Sequence, residues 1–324
     1  MIKTCLRESF LTKELYQKLK QIRDEKRYRL ATQVEHTFID RSKHRKDLCI
    51  IIAGYKPYLY QDVFERLVRF MPEDMDVCIA SSGVFSAELE RIASKQGWSY
   101  LSTKRNCVTL LQNVAILKHP EAEYIYKIDE DIFVTEHCFE QMKETFLKVE
   151  RDGLYDVGFV APLLPINGYC HLRILDKLNL KQEYATKFER PIYASYSTRM
   201  IEKSPEVAKF FWGEGGYIPS IDELARCFGK ESFSYSACPV RFSIGFILMR
   251  REFWESMGMW KVFAESPCMG VDEEQICSEC IIRSKAMIVA ENAVAGHLSF
   301  GQQNVAMKQY YEEHRDRFRC PEKV

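Results

Sequence analysis

At 324 residues and 38.0 kDa, with 46% hydrophobic and 28% charged residues, the chain has the make-up of a soluble globular protein with room for one large domain or two smaller ones. Lys plus Arg and Asp plus Glu both number 46, and this balance gives no support to a nucleic-acid or membrane role for the chain as a whole. No apolar run reaches the roughly 18 residues of a membrane span, and Met1-Ile2-Lys3-Thr4-Cys5 opens nothing like a secretory signal, so the 12 cysteines read as reduced thiols in a cytoplasmic setting.

The charge is uneven along the chain. Residues 1–46 hold 13 Lys/Arg against 6 Asp/Glu, a surplus of 7. Leu11, Leu15, Leu19 and Ile22 stand at helical spacing among them, which predicts a basic amphipathic helix packed on the domain or on a partner. Such a surplus suits a peripheral contact with anionic lipid at the inner membrane face or with a polyanion, although a solvated helical face is its commoner cause.

Beyond residue 46, strand and helix signals alternate. Residues 48–53 form an apolar run that ends at Gly54-Tyr55-Lys56-Pro57, and a helix follows over 62–70. A second strand over 76–80 ends at Ser81-Ser82-Gly83, and a helix over 86–96 is stopped by Gly97. A third strand covers 99–103, and the helix over 108–118 cannot continue past Pro120. The fourth strand is the first half of the stretch 122–134, apolar on both faces apart from Lys127, and it ends in the triplet Asp129-Glu130-Asp131 where a core strand should be closing in a turn.

A helix over 136–149 and a strand over 157–162 continue the series. Residues 167–240 break it with an aromatic-rich stretch that includes Tyr196, and two short helices are marked there by Ser204-Pro205-Glu206 and Ser220-Ile221-Asp222-Glu223. A strand over 241–249 is interrupted by Gly245; Arg250-Arg251 opens a helix, Gly270-Val271-Asp272-Glu273 opens another, and a late strand over 288–290 precedes Gly296-His297 on a loop. Cys277-Ser278-Glu279-Cys280 has no second pair at zinc spacing and reads as one helix face. Regular alternation of this kind implies a parallel sheet covered on both faces, with ligands gathering at the carboxyl ends of its strands. Gly54, Ser81, Asn106 and Asp129 all follow strands at that edge.

In extended backbone, Asp129 and Asp131 would leave from the same side, and two close carboxylates repel unless a cation or a proton lies between them. An oxygen-seeking divalent ion, Mg²⁺ or Mn²⁺, is the usual solution and commonly brings phosphates with it. About one Asp-x-Asp is expected by chance in a chain of this length, and Asp74-Met75-Asp76 repeats the spacing before a strand instead of after one. Position at the strand end separates the two.

With these marks in order, the chain resembles the glycosyltransferases of GT-A fold, most closely the family-two group that uses nucleotide sugars, over roughly residues 48–135 and 240–300. The resemblance implies a Rossmann-like α/β fold with a mostly parallel central sheet and helices on both faces. It also implies a metal held by Asp129 and Asp131 with His297, and a catalytic base at Asp272 or Glu273 in the inverting manner. For the donor, a nucleoside-diphosphate sugar, it implies contacts from Ala53, Gly54, Tyr55, Ser81, Ser82, Asn106, Asn113 and Glu130. Ser243 and Gly245 match the glycine loop near a carbohydrate or glycoconjugate acceptor, followed by the Arg250-Arg251 pair typical there, and Trp212 and Trp260 are candidates to stack on a sugar. Ser81-Ser82 stands where the family usually has an acidic residue for the nucleobase, which leaves the nucleobase open.

On this reading residues 1–46 are a helical extension, 47–166 the donor half, 167–240 an acceptor-side insertion, 241–301 the acceptor and catalytic half, and 302–324 a tail. The alternatives are a retaining transferase or a nucleotidyltransferase on the same scaffold, or a non-catalytic nucleotide-sugar-binding protein. Without the resemblance, Asp272 reads as a plain helix N-cap and His297 as a satisfied histidine.

Overall fold

A computed structural model of the chain describes residues 10–193, 199–264 and 268–322, with side chains from residue 16 onward. Tyr196, and the side chains of Leu11 and Leu15, lie outside the described residues. Among those described, strands β1 (His36–Ile39), β2 (Asp47–Ile52), β3 (Met75–Ser82), β4 (Ser99–Thr103), β5 (Tyr124–Asp129), β6 (Ile132–Val134), β7 (Val157–Leu163), β8 (Tyr235–Ala237), β9 (Phe246–Arg250) and β10 (Ala286–His297) form one sheet. Its order is β1-β4-β3-β2-β5-β9-β7-β10-β6, with β8 also on β10. Strands β4, β3, β2 and β5 run parallel, as do β7 and β10, and β9 is antiparallel to both β5 and β7. The expected α/β architecture with a mostly parallel sheet is therefore present.

Local signals account for the helices of the first half. Helix α1 spans Phe10–Thr32, α2 Tyr60–Phe70, α3 Ala87–Gln96, α4 Val108–Lys118 and α5 Cys138–Asp152. Ser86 accepts the Leu89 N–H at the start of α3, and Gly97 closes the helix at φ 68°, where a side chain would be strained. Alternation along β5 divides its residues between two faces. Tyr124 packs edge-on against Phe146 of α5 and Tyr126 against Phe139, while Lys127 faces the opposite layer. Helices thus cover both faces of the sheet.

The second half departs from expectation in three places. Among the described residues, 167–240 hold five α-helices: α6 (Cys170–Lys177), α7 (Lys181–Lys187), α8 (Met200–Lys203), α9 (Pro205–Phe211) and α10 (Ile221–Phe228). Only α9 and α10 were marked in the sequence, and their caps form as read, with Ser204 accepting from Val207 and Ser220 from Glu223. This segment is also joined to the sheet, because β8 pairs with β10. Residues 241–245 are not strand; they form a loop before β9, α11 (Arg251–Ser256) and α12 (Val271–Ile282). Finally, β10 runs on to His297. Its register against β7 jumps between Ala290 and Val294, and this bulge carries its far end across to β6, where Ala295, Gly296 and His297 face Val134, Phe133 and Ile132.

Both ends of the chain are attached differently than their composition implied. Leu19 and Ile22 of α1 are 57% and 61% exposed, so this described half of the predicted stripe is not buried. Near its C-terminal end the helix docks on the domain, where Ala31 is buried and its carbonyl accepts from Asn113. The C-terminal segment with α13 (Asn304–Glu313) is firmly held. Fully buried Arg66 donates to the carbonyls of Phe318, Arg319 and Val134 and pairs with Asp222 in two parallel bonds. No described helix is long and apolar enough to cross a membrane.

Candidate active site

The carboxyl ends of β2, β3, β4 and β5 lie side by side, and the loops that leave them build one wall of a site. After β2 the chain turns through Ala53 and Gly54, whose φ of 149° favours glycine. The Glu130 carboxylate accepts the N–H groups of Gly54 at 2.8 Å and Tyr55 at 3.1 Å. Glu130 therefore braces this loop, and any donor contact it makes comes through the backbone it holds. Tyr55 is 58% exposed, and its hydroxyl reaches the Ser82 carbonyl at 2.5 Å, which presents the ring face to solvent across the sheet edge.

Ser81 and Ser82 are buried and engaged: the Tyr100 hydroxyl meets Ser81 Oγ at 3.3 Å, and Ser82 Oγ accepts the Cys107 N–H at 2.7 Å. Exposed Asn106 stands on the next loop so close to Gly83 that a Cβ there would meet the Asn106 Cβ at 2.5 Å.

The acidic triplet does not behave as an extended strand. β5 ends at Asp129, the backbone turns at Glu130 and Asp131, and β6 begins at Ile132. The two aspartates are thereby separated, and each has its own ammonium partner. Lys127 Nζ, buried in the sheet, lies 2.8 Å from Asp129 and 2.9 Å from the Ile244 carbonyl. Burial disfavours the Lys127 charge, but Asp129 first and Asp272 next outweigh it, so its pKa lies above the ordinary lysine value. The Asp129 carboxyl is pushed up, chiefly by burial and further by Asp131, with Lys127 opposing; even so, 36% of its side chain remains accessible.

Lys56, on the loop after β2, reaches Asp131 Oδ2 at 2.5 Å. Burial pushes the Asp131 carboxyl up, but Lys56 and then His297 outweigh that and hold it below the usual carboxylate value. Neither lysine stood out as a functional residue in the sequence. Lys127 was the lone charge in an apolar strand, which is a detectable signal; Lys56 gave none.

His297 approaches from β10. Its Nε2 lies 3.8 Å from Asp131 Oδ2, and the Leu298 N–H donates to the Asp131 carbonyl at 3.0 Å, continuing the β6–β10 pairing. His297 Nδ1 is 2.8 Å from the Ile166 carbonyl. That contact needs a proton on Nδ1, so Nε2 is the ring nitrogen turned toward the carboxylate and, in the neutral ring, the one available to a metal. Trp212 supports the arrangement from behind, its indole N–H shared between the carbonyls of His297 (3.1 Å) and Leu298 (3.2 Å).

Opposite the acidic turn, α12 brings up its first-turn acids. Asp272 is buried; Gln112 donates to its Oδ2 at 2.8 Å and the Glu273 N–H to its Oδ1 at 3.0 Å. It is not the helix cap, which is Gly270, and one of its oxygens is held by a side chain from α4. Glu273 accepts the Ile244 N–H at 3.3 Å and is ion-paired with Arg241. Burial pushes its carboxyl up to about 7, Arg241 opposing and Asp272 adding to the rise. The loop 241–245 lies between these groups: the Gly245 carbonyl accepts the Asp129 N–H at 2.9 Å, and the Ser243 carbonyl accepts from Asn167 at 3.1 Å. A Cβ on Gly245 would press on Ile132 Cδ1 at 3.1 Å, so glycine keeps this loop against the turn.

Four sequence expectations are corrected by this geometry. Among the described residues no group of three or more His, Cys, Asp or Glu side chains is gathered to hold a metal; the expected trio resolves into the pair Asp131–His297, with Asp129 drawn off to Lys127. Asn113 does not line a pocket. It is fully buried, donates to the carbonyls of Ala31 and Trp260, and accepts from Trp254 Nε1 and the Trp260 N–H. Trp260 is a fully buried core residue, and Trp212 is buried at the back of His297 against Phe133 and Phe318, so neither offers a face to a sugar. The Arg250-Arg251 pair is also spoken for: Arg250 binds Glu150, and Arg251 caps the end of α4 through the carbonyls of Ile116 and His119.

A carboxylate and an imidazole converging on one point suit a divalent cation that takes its remaining ligands from phosphate oxygens and water. The residues present therefore fit Mn²⁺ or Mg²⁺ as a two-donor site.

No family model matches the chain, and no curated protein matches it in sequence. Among solved structures it is similar to GalNAc-T7, determined with UDP, GalNAc and Mn²⁺, at 11% identity and a TM-score of 0.44, over 81% of this chain and 45% of that one. It is also similar to the mannosyltransferase PcManGT of Pyrobaculum calidifontis in complex with GDP-Man and Mn²⁺, at 13% identity and a TM-score of 0.46, over 92% of this chain and 70% of that one. The chain thus spans less than half the length of the first.

Proposed function

We propose that the protein is a metal-dependent glycosyltransferase that moves a sugar from a nucleoside diphosphate to a hydroxyl acceptor with inversion. The observation that carries this reading is the meeting of Asp131 with His297 Nε2 at the carboxyl edge of the sheet, opposite the buried acids of α12. Asp131 and His297 would hold Mn²⁺ or Mg²⁺, which when bound stabilises the negative charge that develops on the departing diphosphate.

The other roles fall to residues around this pair. The exposed Tyr55 ring offers a stacking face for the nucleobase, and exposed Asn106 stands on the loop after β4 at the same sheet edge, against Gly83. Glu273 takes the acceptor proton: a carboxyl raised to about 7 is matched to a base that works near neutral pH. Asp272, clamped by Gln112, keeps negative charge beside it.

Turnover with a panel of UDP- and GDP-sugars and Mn²⁺, with product stereochemistry read by NMR, tests the proposal. Retention, release of pyrophosphate from a nucleoside triphosphate, or Mn²⁺-dependent donor binding with no turnover on any acceptor would each replace it with one of the alternatives.

A further inference from the structure

The oxygen of Asp131 that faces His297 is already occupied. Lys56 Nζ bonds Oδ2 at 2.5 Å, and it is the same Oδ2 that lies 3.8 Å from His297 Nε2. A divalent ion shared by these two groups would take that same oxygen as its carboxylate ligand. An ammonium and a dication on one carboxylate oxygen repel strongly in a site where only 6% of the Asp131 side chain is accessible. One must leave before the other can bind.

The backbone that carries Lys56 is not free to withdraw. Glu130, the residue next to Asp131, holds the N–H groups of Gly54 and Tyr55, so the start of the loop is fixed to the acidic turn itself. Movement is left to the four-carbon side chain, which has a second acceptor in reach: Asn304 Oδ1 of α13, 3.4 Å away and itself held by Ser299 Oγ. The Lys56 ammonium is four-fifths buried and paired with Asp131. Once a metal has taken Asp131, this ammonium needs another anion, and the diphosphate that accompanies the metal is the one at hand.

We infer that Lys56 is a resident cation: it holds Asp131 Oδ2 while no metal is bound, and it turns to the diphosphate when a metal–diphosphate complex enters. The inference rests on reading the site as one for a metal and a diphosphate. It gives the site an order of loading. Metal alone has to displace an ion pair and binds weakly, whereas metal with diphosphate supplies a new partner for the displaced lysine and binds well. The chain would then take its metal together with the donor.

The experiment compares wild type with Lys56→Met, Lys56→Gln and Lys56→Arg, using electron paramagnetic resonance to count free Mn²⁺ and calorimetry with Mn²⁺ plus inorganic pyrophosphate. Circular dichroism confirms that each variant is folded, and the Gln variant serves if the Met variant is not. Lys56→Met and Lys56→Gln are expected to bind Mn²⁺ alone about tenfold or more tighter than wild type, and Mn²⁺–pyrophosphate about tenfold or more weaker. Lys56→Arg should stay near wild type for Mn²⁺ alone. Equal Mn²⁺ affinity in wild type and the uncharged variants, or undiminished pyrophosphate binding by them, overturns the inference while leaving the metal site standing. Wild type that takes up no Mn²⁺ with or without pyrophosphate overturns the metal site itself.

Discussion

Asp131 Oδ2 and His297 Nε2 lie 3.8 Å apart although they come from a turn and a strand widely separated in the chain, and the contact is built by the backbone before any side chain takes part. The bulge in β10 sends its last residues across to β6, the pairing of His297 with Ile132 sets the register, and the Leu298 N–H closes onto the Asp131 carbonyl. If the pair holds the metal, Asp131→Asn, which keeps the shape and removes the charge, should weaken Mn²⁺-dependent donor binding by about 100-fold or more. Lys56, 20% accessible, can swing to water, so the fold should survive. Near-normal turnover in this variant would exclude Asp131 as a ligand.

Gly296 is where the same arrangement is most exposed to a small change. An added Cβ would lie 2.5 Å from Trp212 Cη2, the ring that donates to the His297 carbonyl. Gly296→Ala should therefore cost about 1–3 kcal/mol of stability and also weaken Mn²⁺ binding, because the displaced indole no longer fixes His297. Loss of stability in denaturant melts with unchanged Mn²⁺ affinity would show that Trp212 supports the fold alone.

Glu273 predicts a pH signature with a definite sign. As a base it must be ionised, so kcat/KM should rise with pH through about 7, and Glu273→Gln should abolish that limb. Arg241 holds the carboxyl down, and Arg241→Met should move the limb to higher pH. Stability runs the opposite way. A folded-state value near 7 against an ordinary 4.5 means that the folded chain binds more protons between those values, so stability falls as pH rises across that window, by about 3 kcal/mol in all. Subtracting the pH–stability profile of Glu273→Gln from that of wild type isolates this contribution from the other raised carboxyls, Asp129, Glu130 and Glu202. A flat difference profile would remove Glu273 as the titrating group.

Asn113 separates a packing role from a binding one. Its side chain makes four hydrogen bonds that join α1, α4 and the residues after α11, all away from solvent. Asn113→Ala strands the Trp254 and Trp260 donors and should cost about 2–4 kcal/mol in denaturant melts. Donor affinity of the folded variant should be unchanged; a weakened donor with unchanged stability would return Asn113 to the pocket.

Much of the scaffold was legible because its signals are local. The apolar runs of β2 to β5, the Ser86 and Gly97 caps of α3, the Ser204-Pro205 and Ser220 starts of α9 and α10, and the opening of α12 each depend on a few neighbouring residues and on a fixed repeat along the backbone. Residues 241–249 misled for the same reason: an apolar run looks like strand whether it pairs with a neighbour or, as in 241–245, turns its carbonyls and amides onto Lys127, Asp129 and Glu273.

The order of residues alone determined that a mostly parallel sheet would form and that Asp129 and Asp131 would stand at its carboxyl edge, because period, turn chemistry and strand ends are written within a few residues of one another. Only the tertiary structure decided which partner each acid would meet. Lys127 took Asp129, Lys56 and His297 took Asp131, Gln112 took Asp272, and Trp212 and Asn113 went to support instead of contact. Lys127 and Asp129 are neighbours two residues apart on β5, but the other pairings act through space over a few ångströms, between segments whose approach depends on sheet order and on one bulge in β10, and no spacing along a single stretch of chain encodes that distance.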